Sequence, residues 1–461
     1  MARRFFGRQQ ELAALQSKLN APGFQMAVVY GRRRVGKTTL INKLIDESTV
    51  KIVSFVALER GEKEQLETMG NLVLSSLAPE LLGSVKFESF EKLFDFVGRS
   101  AEAQRVIFLI DEYPYLAKEC KYMNSLLQRF VDHEWADTQL FLILCGSLVS
   151  YMRESVLGEG APLHGRSTLE LKLRPMGYLD SAAFVPQYTR EEQAIVYGLT
   201  GGVPKYLEQF DGERPLDENI ATQFFSSAGY FTEEQIQTLV TADRTNPTAF
   251  NTIISSIAAG HTKYGEIAGD VGGGDISYYL RSLVSAGVLE KRSAKGRPYY
   301  AICDGMVSFW FKHVSRAQSL VNAGRGEQYY ERVVKERLHD HMGPVFEQMA
   351  RQYLFAHMGS DELPFFATEI EEYQTSVRDG EGKVRQVELD LVAKEGGRVV
   401  LVGECRFRNQ RFDKGDLSRL RDKVDLLPMR APALAVFSLG GFTPEVVSED
   451  VLAVDIEAMY H

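Results

Sequence analysis

The segment GRRRVGKT, residues 31–38, constrains the fold of this chain more than any other stretch of its sequence. It follows a short apolar run, residues 27–30, and it precedes LINKLI, which has the apolar spacing of a helix start. A strand, a loop and a helix in this order form the setting in which the pattern G-x-x-x-x-G-K-[ST] cradles phosphate groups. The sequence therefore predicts an α/β core with a parallel sheet and a phosphate-binding loop.

Each residue type in this loop has a chemical reason to be there. Gly31 and Gly36 let backbone N–H groups turn toward the phosphates, and Lys37 reaches the terminal phosphates. The hydroxyl of Thr38 is a ligand for Mg²⁺, and we assign Thr39 to the nucleotide site as well. We therefore expect a nucleoside triphosphate bound together with Mg²⁺.

Two further apolar runs end in polar residues that suit the same site. Residues 106–110 are continuously apolar, as in a central parallel strand, and they lead into Asp111 and Glu112. We expect Asp111 to hold the Mg²⁺ through water and Glu112 to polarise the attacking water, as a hydrolase requires. Residues 140–144 form a third strand that leads to Ser147, whose hydroxyl is a candidate sensor of the γ-phosphate.

Flanking segments add a candidate base contact and a lid. FFGRQQELAAL places Arg8 at the entry to a helix, where it is a candidate clamp for the nucleotide base, although an ordinary surface helix is an equal alternative. Further along, TGGVPKYLEQF puts Gly201, Gly202 and Pro204 at a helix start. That second pattern is typical of a structural lid more than of a reactive group.

The chain resembles the archaeal-type ATPases, a branch of the AAA+/STAND P-loop superfamily. The segments that carry the resemblance lie between residues 3 and 210 and are FFGRQQEL, GRRRVGKTTL, FLIDEY, LCGS, HGRSTLELKLRPM and TGGVPKYL. The resemblance implies ATP rather than GTP, a helical lid after the core and a nucleotide-driven change of shape. It also implies that Arg166, in HGRS, contacts the γ-phosphate, in cis or from a neighbouring subunit of a homo-oligomer; a solvated side chain is the alternative.

The middle of the chain has the pattern of a winged helix-turn-helix. Apolar residues at helical spacing occur in FNTIISSIA, YGEIAGDV and DISYYLRSLVSAG, and two candidate strands, VLEKR and PYYAI, follow on either side of a basic turn. In such a fold the third helix enters the major groove of DNA and the wing touches phosphate. The candidate DNA contacts are Arg281 on the third helix and, in the wing, Lys291, Arg292, Lys295 and Arg297. A regulatory module that only packs on the ATPase is the alternative.

The last region contains a helix with GPVFEQMARQYL and two strands, QVELDLVAKE and RVVLVGECRF, joined by a tight turn. From about residue 343 onward it resembles the restriction-endonuclease-like fold of the PD-(D/E)xK nucleases, as found at the end of archaeal-type ATPases. The resemblance implies that Glu347, Asp390 and Glu404 hold Mg²⁺. It further implies that a lysine two positions after the last glutamate supports the attacking hydroxide.

Arg406 stands where that lysine is expected. Strand alternation places Glu404 and Arg406 on one face of the strand, with Cys405 on the other. Arginine is always charged and cannot take a proton from water as a lysine of depressed pKa can, so Arg406 can only stabilise charge or grip phosphate. Two interpretations stay open: a catalytic site that uses Glu404 and Arg406, or a retired nuclease scaffold used for binding or assembly.

Composition narrows the class of protein. The 53 basic residues are outnumbered by 62 acidic ones, giving a net charge of −9, so any contact with DNA must be local. The four cysteines are far apart in the sequence, which indicates neither a zinc site nor a disulfide framework and suits a reducing compartment. No apolar run approaches the roughly 18 residues that span a bilayer. We expect a cytoplasmic protein without membrane contact.

At 461 residues the chain is too long for one hydrophobic core. The predicted domains are a P-loop ATPase core at 1–155, a helical lid at 156–244, a winged helix at 245–305, a helical linker at 306–335 and an α/β nuclease-like domain at 336–461. The expected function is an ATPase whose nucleotide state controls DNA-associated modules. The alternative is a regulatory ATPase whose inactive nuclease-like tail binds protein or nucleic acid.

Overall fold

The chain divides after Pro175 into a first unit, Met1–Pro175, and a second unit, Met176–His461. The computed structural model describes residues 5–232, 246–294, 297–378, 383–427, 429 and 432–461. No helix in these ranges is both long and apolar enough to cross a membrane. The boundary predicted after residue 155 falls inside the first unit.

A parallel sheet of five strands, in the order β2-β3-β4-β1-β5, forms the centre of the first unit among its described residues. The strands are β1 (Gln25–Tyr30), β2 (Lys51–Val56), β3 (Val106–Asp111), β4 (Leu140–Gly146) and β5 (Leu169–Lys172). The helices are α1 (Gln9–Asn20), α2 (Lys37–Asp46), α3 (Glu62–Leu77), α4 (Phe90–Ser100), α5 (Tyr113–Glu119), α6 (Met123–Arg129) and α7 (Val149–Tyr151). Short 3-10 or π-helical turns are Pro79–Leu81, Phe130–Glu134 and Met152–Val156.

Helices cover both faces of this sheet. Along β1, Ala27 and Val29 pack in one apolar cluster with Leu40 of α2, whereas Met26 and Val28 pack in another cluster with α3 and α4. A parallel sheet that is buried on both faces needs continuous apolar strands, which is why the inner strands could be read from the sequence. The predicted parallel α/β core is confirmed.

The fifth strand extends this core beyond the predicted boundary. β5 pairs with β1 in parallel, with Leu169 beside Ala27 and Lys172 beside Tyr30. Its sequence, LELK, alternates half-buried with exposed residues. Because β5 is an edge strand, it lacks the apolar run that marks the inner strands.

A helical region opens the second unit. Its helices are α8 (Tyr178–Ala182), α9 (Arg190–Thr200), α10 (Pro204–Leu207), α11 (Leu216–Phe225), α12 (Pro247–Ala258), α13 (Tyr264–Asp270), α14 (Ser277–Ser285), α15 (Gly305–Phe309), α16 (Gln318–Asn322) and α17 (Gly326–Tyr329). An antiparallel hairpin, β6 (Leu289–Ala294) and β7 (Arg297–Ile302), follows α14. Three helices and a hairpin are the order predicted for the winged helix.

A mixed sheet, in the order β12-β11-β10-β9-β8, follows among the described residues of the second unit. Its strands are β8 (Glu369–Arg378), β9 (Val384–Glu395), β10 (Arg398–Arg406), β11 (Ala433–Ser438) and β12 (Leu452–Asp455). β8, β9 and β10 are antiparallel, and β10, β11 and β12 are parallel. The helices around it are α18 (Leu338–His357), α19 (Lys414–Asp425) and α20 (Pro444–Val447).

Helices α18 and α19 pack on opposite faces of this sheet. Phe346 of α18 shares an apolar cluster with Leu401 and Phe437, whereas Leu417 of α19 shares one with Val402. The predicted carboxyl-terminal α/β domain is confirmed, and its likeness to a nuclease stays a prediction.

The segment MVSFWFKHVSRA lies inside the core of the second unit. It begins in α15 and continues through a π-helical turn, Trp310–Val314, and a 3-10 turn, Ser315–Ala317. Met306 and Phe309 are fully buried in the cluster that also contains residues of α9, α11 and α18. Similar turns, Tyr330–Val334 and Lys335–Arg337, lead into α18, and Ala458–Tyr460 forms a last 3-10 turn.

Candidate functional site

The predicted phosphate loop lies at the carboxyl end of β1, where open parallel sheets usually bind their ligands. Gly36 has a φ of 90°, a left-handed conformation that glycine adopts without steric cost. Gly31 meets a different requirement, because a Cβ atom there would collide with the backbone carbonyl of Leu173. Gly31 is therefore needed for the close approach of two backbone segments.

Lys37 begins α2, and only 6% of its surface is exposed. Its Nζ donates to the carbonyl oxygen of Gly31 at 2.9 Å and to that of Arg32 at 3.1 Å, so the amine lies inside the curve of the loop. Burial lowers the pKa of Lys37, and the carboxylates of Glu112 and Asp111 oppose that shift. A phosphate held by the loop N–H groups would lie beside this amine.

Thr38 and Asp111 meet at the loop although 73 positions separate them. Thr38 Oγ1 donates to Asp111 Oδ2 at 3.0 Å, and Asp111 Oδ1 accepts the backbone N–H of Glu112 at 2.9 Å. Mg²⁺ prefers such oxygen ligands and usually takes one or two from the protein, with phosphate and water completing its shell. The pair therefore fits Mg²⁺. Thr39, the next residue of α2, is half-buried.

Glu112 and Ser147 contact each other directly. Ser147 Oγ lies 2.7 Å from both carboxylate oxygens of Glu112, and the backbone N–H of Ser147 donates to Glu112 Oε2 at 3.2 Å. Glu112 follows β3 and Ser147 follows β4, and these strands are neighbours in the sheet. The residue predicted to sense the γ-phosphate thus holds the residue predicted to activate water.

Arg8 faces the phosphate loop from the amino end of α1. Its Nη2 donates to the carbonyl oxygen of Val35 at 3.3 Å and to that of Arg174, and its Nη1 pairs with Glu11 Oε1 at 2.8 Å. Only 9% of the Arg8 side chain is exposed. In the structure the terminal nitrogens of Arg8 bind backbone carbonyls and a carboxylate. The contact of Arg8 with the nucleotide base stays a prediction.

Left-handed backbone conformations single out the same region. In the part of the chain that the structure describes, three non-glycine residues have positive φ: Arg8 at 65°, Arg34 at 72° and Glu112 at 51°. Arg34 belongs to the phosphate loop, and the other two lie against it or at the adjoining strand end. Such a conformation costs on the order of 1–2 kcal/mol for a residue with a Cβ and persists where the surroundings fix it. The strain indicates a functional site.

Arg166 lies near the amino ends of the strands, whereas the phosphate loop lies at their carboxyl ends. Two residues later, Thr168 donates its N–H to the carbonyl of Met26, near the amino end of β1. Five extended residues, or about 17 Å, separate Met26 from Gly31, which exceeds the reach of an arginine. Arg166 instead forms a two-point ion pair with Asp132, at 2.6 and 2.7 Å. Arg166 does not reach the loop of its own chain in this arrangement, and its contact with a γ-phosphate stays a prediction.

The carboxylates predicted to bind metal in the second unit are electrostatically coupled. Asp390 Oδ2 accepts the backbone N–H of Cys405 at 2.8 Å, and Glu347 pairs with Arg351 at 3.2 Å. Burial, together with the nearby Asp390, raises the pKa of Glu347 to about 7. Burial also raises the pKa of Asp390 to about 6, with Glu404 adding to the shift. Burial is the largest cause of both shifts, and the neighbouring carboxylates add to it.

Two cations hold Glu404. Lys423 Nζ lies 2.9 Å from Glu404 Oε2, and Arg406 Nη2 lies 3.2 Å from Glu404 Oε1. Arg406 also pairs with the buried Asp416 at 2.5 Å and lies 4.9 Å above the ring of Phe412, so its guanidinium is fixed. Sequence reasoning missed Lys423, because it reaches Glu404 from α19, 19 positions along the chain.

The predicted three-carboxylate metal site is not assembled. Across the described ranges, no group of three or more His, Cys, Asp or Glu side chains is arranged to hold a metal ion. Glu347, Asp390 and Glu404 contact Arg351, the N–H of Cys405 and the Arg406 and Lys423 pair, respectively. These residues do not fit the predicted Mg²⁺ centre.

The residues predicted to contact DNA differ from one another in exposure and in their partners. Arg281 and Lys291 are exposed on α14 and β6. Arg292 donates its Nε to Glu290 at 2.5 Å, which occupies part of its guanidinium within the hairpin. Lys295 and the side chain of Arg297 lie outside the described residues.

Comparisons with known proteins agree with the geometry of the first unit. Residues 5–210 match the family described as an ATPase domain predominantly from Archaea. Residues 310–418 match a family described as archaeal and bacterial proteins of unknown function. An uncharacterized protein of Methanocaldococcus jannaschii is 29% identical over 399 residues, which cover 84% of this chain and 84% of that protein.

Two further proteins resemble parts of the chain. An uncharacterized ATP-binding protein of Methanocaldococcus jannaschii is 42% identical over 50 residues, which are 11% of this chain and 85% of that protein. The Walker-type ATPase of Pyrococcus abyssi superposes with a TM-score of 0.47 at 18% identity, covering 67% of this chain and 96% of that one. The family matches thus place the likeness to an archaeal ATPase domain in residues 5–210 and the likeness to a family of unknown function in residues 310–418.

Proposed function

We propose that the first unit binds ATP with Mg²⁺ and hydrolyses it, and that the nucleotide state controls the second unit. One observation carries this proposal: Lys37, Thr38, Asp111 and Glu112 meet at the carboxyl edge of the parallel sheet. Two separate segments, residues 37–38 and residues 111–112, supply a cation, a hydroxyl, a carboxylate ligand and a base within one small region. Phosphoryl transfer depends mainly on such positioning and charge stabilisation.

In this proposal the residues have separate roles in binding ATP and in hydrolysing it. The loop N–H groups and Lys37 bind the β- and γ-phosphates, and bound Mg²⁺ would neutralise charge on them from Thr38 and Asp111. Glu112 orients a water molecule toward the γ-phosphorus and accepts its proton. Ser147 fixes the carboxylate of Glu112 in the orientation that this requires.

Replacing Lys37 tests the binding step. Lys37→Ala removes the buried amine, so we expect no measurable affinity for ATP with Mg²⁺ in titration calorimetry. Lys43→Ala is the matched control, because Lys43 lies on the same helix and pairs with Glu47 at 2.8 Å on the surface. Equal affinity in Lys37→Ala and native protein would exclude this loop as the ATP site.

Replacing Glu112 tests the chemical step. Glu112→Gln keeps the shape but removes the base, so ATP should still bind while turnover falls by about 10²–10⁴-fold. Glu119→Gln, at the other end of α5, is the control and should hydrolyse ATP at the native rate. Phosphate release by Glu112→Gln at the native rate would refute the assignment of the base.

For the second unit we propose a helical lid, a winged helix and a nuclease-like domain that contacts DNA without cutting it. Its support is the order of α18, three antiparallel strands, α19 and a parallel strand. Two observations favour binding over cleavage: no three-carboxylate ion site is present in the described residues, and Arg406 is fixed by Asp416 and Phe412. Lys423, with its Nζ 2.9 Å from Glu404 Oε2, is the amine that a cleaving version of this domain would use.

Incubation with plasmid DNA separates these versions. We expect no cleavage by the native protein with Mg²⁺ or Mn²⁺, and retarded migration of the intact DNA in a gel. Cutting by the native protein that disappears in both Glu404→Ala and Lys423→Ala would show a nuclease that uses Lys423. Lys394→Ala is the control, since Lys394 pairs with Glu371 on the same sheet.

A further inference from the structure

The phosphate loop is packed against the segment through which the chain leaves the first unit. Leu173 donates its N–H to the carbonyl of Tyr30 at 2.7 Å, immediately before the loop. One residue later, Gly31 has no room for a Cβ atom because the carbonyl of Leu173 occupies that space. Residues 173–175 are the last three of the first unit. A change of loop conformation therefore acts directly on this exit segment.

Arg8 joins the two segments a second time. A single nitrogen, Nη2, donates to the carbonyl of Val35 inside the loop and to the carbonyl of Arg174 in the exit segment. The ion pair with Glu11 holds the other terminal nitrogen, so the guanidinium plane is fixed in place. Both acceptors are backbone atoms. The position of the Arg8 guanidinium therefore depends on the main chain of the phosphate loop and on that of the exit segment.

We propose that Arg8 is a positioning residue that couples ATP binding in the phosphate loop to ordering of residues 173–175. The proposal rests on the ATP site proposed above. It adds the contacts through which nucleotide binding at that site affects residues 173–175. A loop that closes on phosphate fixes the carbonyl of Val35, Arg8 is thereby held against Arg174, and the exit segment loses freedom. Without the guanidinium, the loop closes and the exit segment does not respond.

Hydrogen–deuterium exchange of the full chain, with and without a non-hydrolysable ATP analogue and Mg²⁺, tests the coupling. In native protein we expect the analogue to slow exchange in residues 31–38 and in residues 170–174. For Arg8→Ala the analogue is added until exchange in residues 31–38 slows to the native extent, so that any loss of affinity is offset. At that concentration we expect residues 170–174 to exchange as in the unliganded protein. Slowing of residues 170–174 in Arg8→Ala to the native extent would overturn the proposal.

Two variants control this experiment. Arg174→Ala removes a side chain but keeps the carbonyl that accepts from Arg8, so it should behave like native protein. Arg8→Lys keeps the positive charge on one ammonium that lacks the planar fork, so it should restore part of the response. If circular dichroism shows that Arg8→Ala does not fold, Arg8→Lys takes its place. A response of residues 170–174 weaker than the native one would then support the coupling, and a response equal to the native one would overturn it.

The outcomes separate the coupling from the ATP site itself. Failure of native protein to bind the analogue would refute the proposed function, and this inference would fall with it. Binding that slows residues 31–38 but leaves residues 170–174 unchanged in native protein would refute the coupling alone. An effect of Arg174→Ala equal to that of Arg8→Ala would also refute it, because the side chain of Arg174 takes no part in the proposed contact.

Discussion

Three residues at the proposed ATP site have strained backbone conformations. Arg8, Arg34 and Glu112 have left-handed backbones although each has a Cβ atom, and each lies in or against the phosphate loop or at the adjoining strand end. The sequence motif predicted that a loop would be here, but it did not predict these conformations. They depend on contacts across the sheet, such as those of Arg8 with Val35 and Arg174.

Ser147 allows a test of how the base is held. Ser147→Ala deletes the hydroxyl that lies 2.7 Å from both carboxylate oxygens of Glu112. A hydrogen bond to a charged group contributes about 1.5–3 kcal/mol, so we expect kcat for ATP hydrolysis to fall by roughly 10- to 150-fold. KM should stay the same if the hydroxyl serves Glu112 and not the bound ATP.

Steady-state kinetics distinguish this role from phosphate sensing. Ser147→Thr keeps a hydroxyl and should restore most of kcat. Ser100→Ala is the control, because Ser100 donates to Phe96 within α4. A rise in KM for ATP as large as the fall in kcat would show that Ser147 contacts the nucleotide, as the sequence suggested.

Some residues of the site could be read from the sequence and others could not. Lys37, Thr38, Asp111 and Glu112 follow apolar strands, and parallel strands bring their carboxyl ends to one edge. Lys423 gave no such signal, because its contact with Glu404 depends on how α19 packs on the mixed sheet. The signal of an apolar strand end, rather than distance along the chain, decided which residues could be predicted: Thr38 and Asp111 are 73 positions apart, whereas Lys423 and Glu404 are 19 apart.

At the scale of elements, burial determined what could be predicted. The inner strands β1, β3 and β4 are apolar throughout because helices cover both their faces. β5 falls outside the core predicted at 1–155, since as a short edge strand with alternate exposed residues it lacks the apolar run of the inner strands. The hairpin of β6 and β7 was predicted from its turn, whereas the surroundings of Arg292 required the structure.

Helix α18 contains a histidine that should make the stability of the second unit depend on pH. His341 is 6% exposed, neither ring nitrogen has a hydrogen-bond partner in the described structure, and its ring lies 5.3 Å from that of Phe309 and 5.8 Å from that of His313. Burial lowers the pKa of His341 well below its usual value, and nearby Lys312 and His313 add to the shift.

The neighbouring ring of His313 behaves in the same way. Burial lowers its pKa to about 4, and Lys312, Arg337 and Arg316 add to the shift. Both rings are therefore neutral in the folded protein at pH 5, whereas an unfolded histidine binds a proton below about pH 6.5. Their contribution to stability is complete above pH 6.5 and is lost as the pH falls from 6.5 toward 4.

Replacing His341 should flatten this dependence. In His341→Phe, the free energy of unfolding should fall less between pH 7 and pH 5 than in native protein, as measured by urea denaturation. His339→Gln is the control, because His339 lies on the same helix but pairs with Glu191. Native protein and His341→Phe losing equal stability over this pH range would contradict the assignment.

At the scale of the whole molecule, the chain joins a first unit whose parallel sheet lies within the match to an ATPase domain family to a second unit with its own mixed sheet. The net charge of −9 excludes a broad basic surface, so the proposed DNA contact must depend on a few exposed residues such as Arg281 and Lys291. The ion pair of Arg166 with Asp132 bears on the predicted contact with a neighbouring copy. If Arg166 contacts the γ-phosphate bound by such a copy, that contact replaces the one with Asp132.

The fifth strand of the parallel sheet decides where the molecule can be cut. A recombinant fragment that stops at residue 155 would lose β5 and leave one edge of β1, along Ala27 to Tyr30, open to pairing with foreign chains. It would also lose the carbonyls of Leu173 and Arg174, on which the loop and Arg8 rest. Truncation after Pro175 preserves both, so the shortest piece that keeps this ATPase fold intact is longer than its sequence motifs suggest.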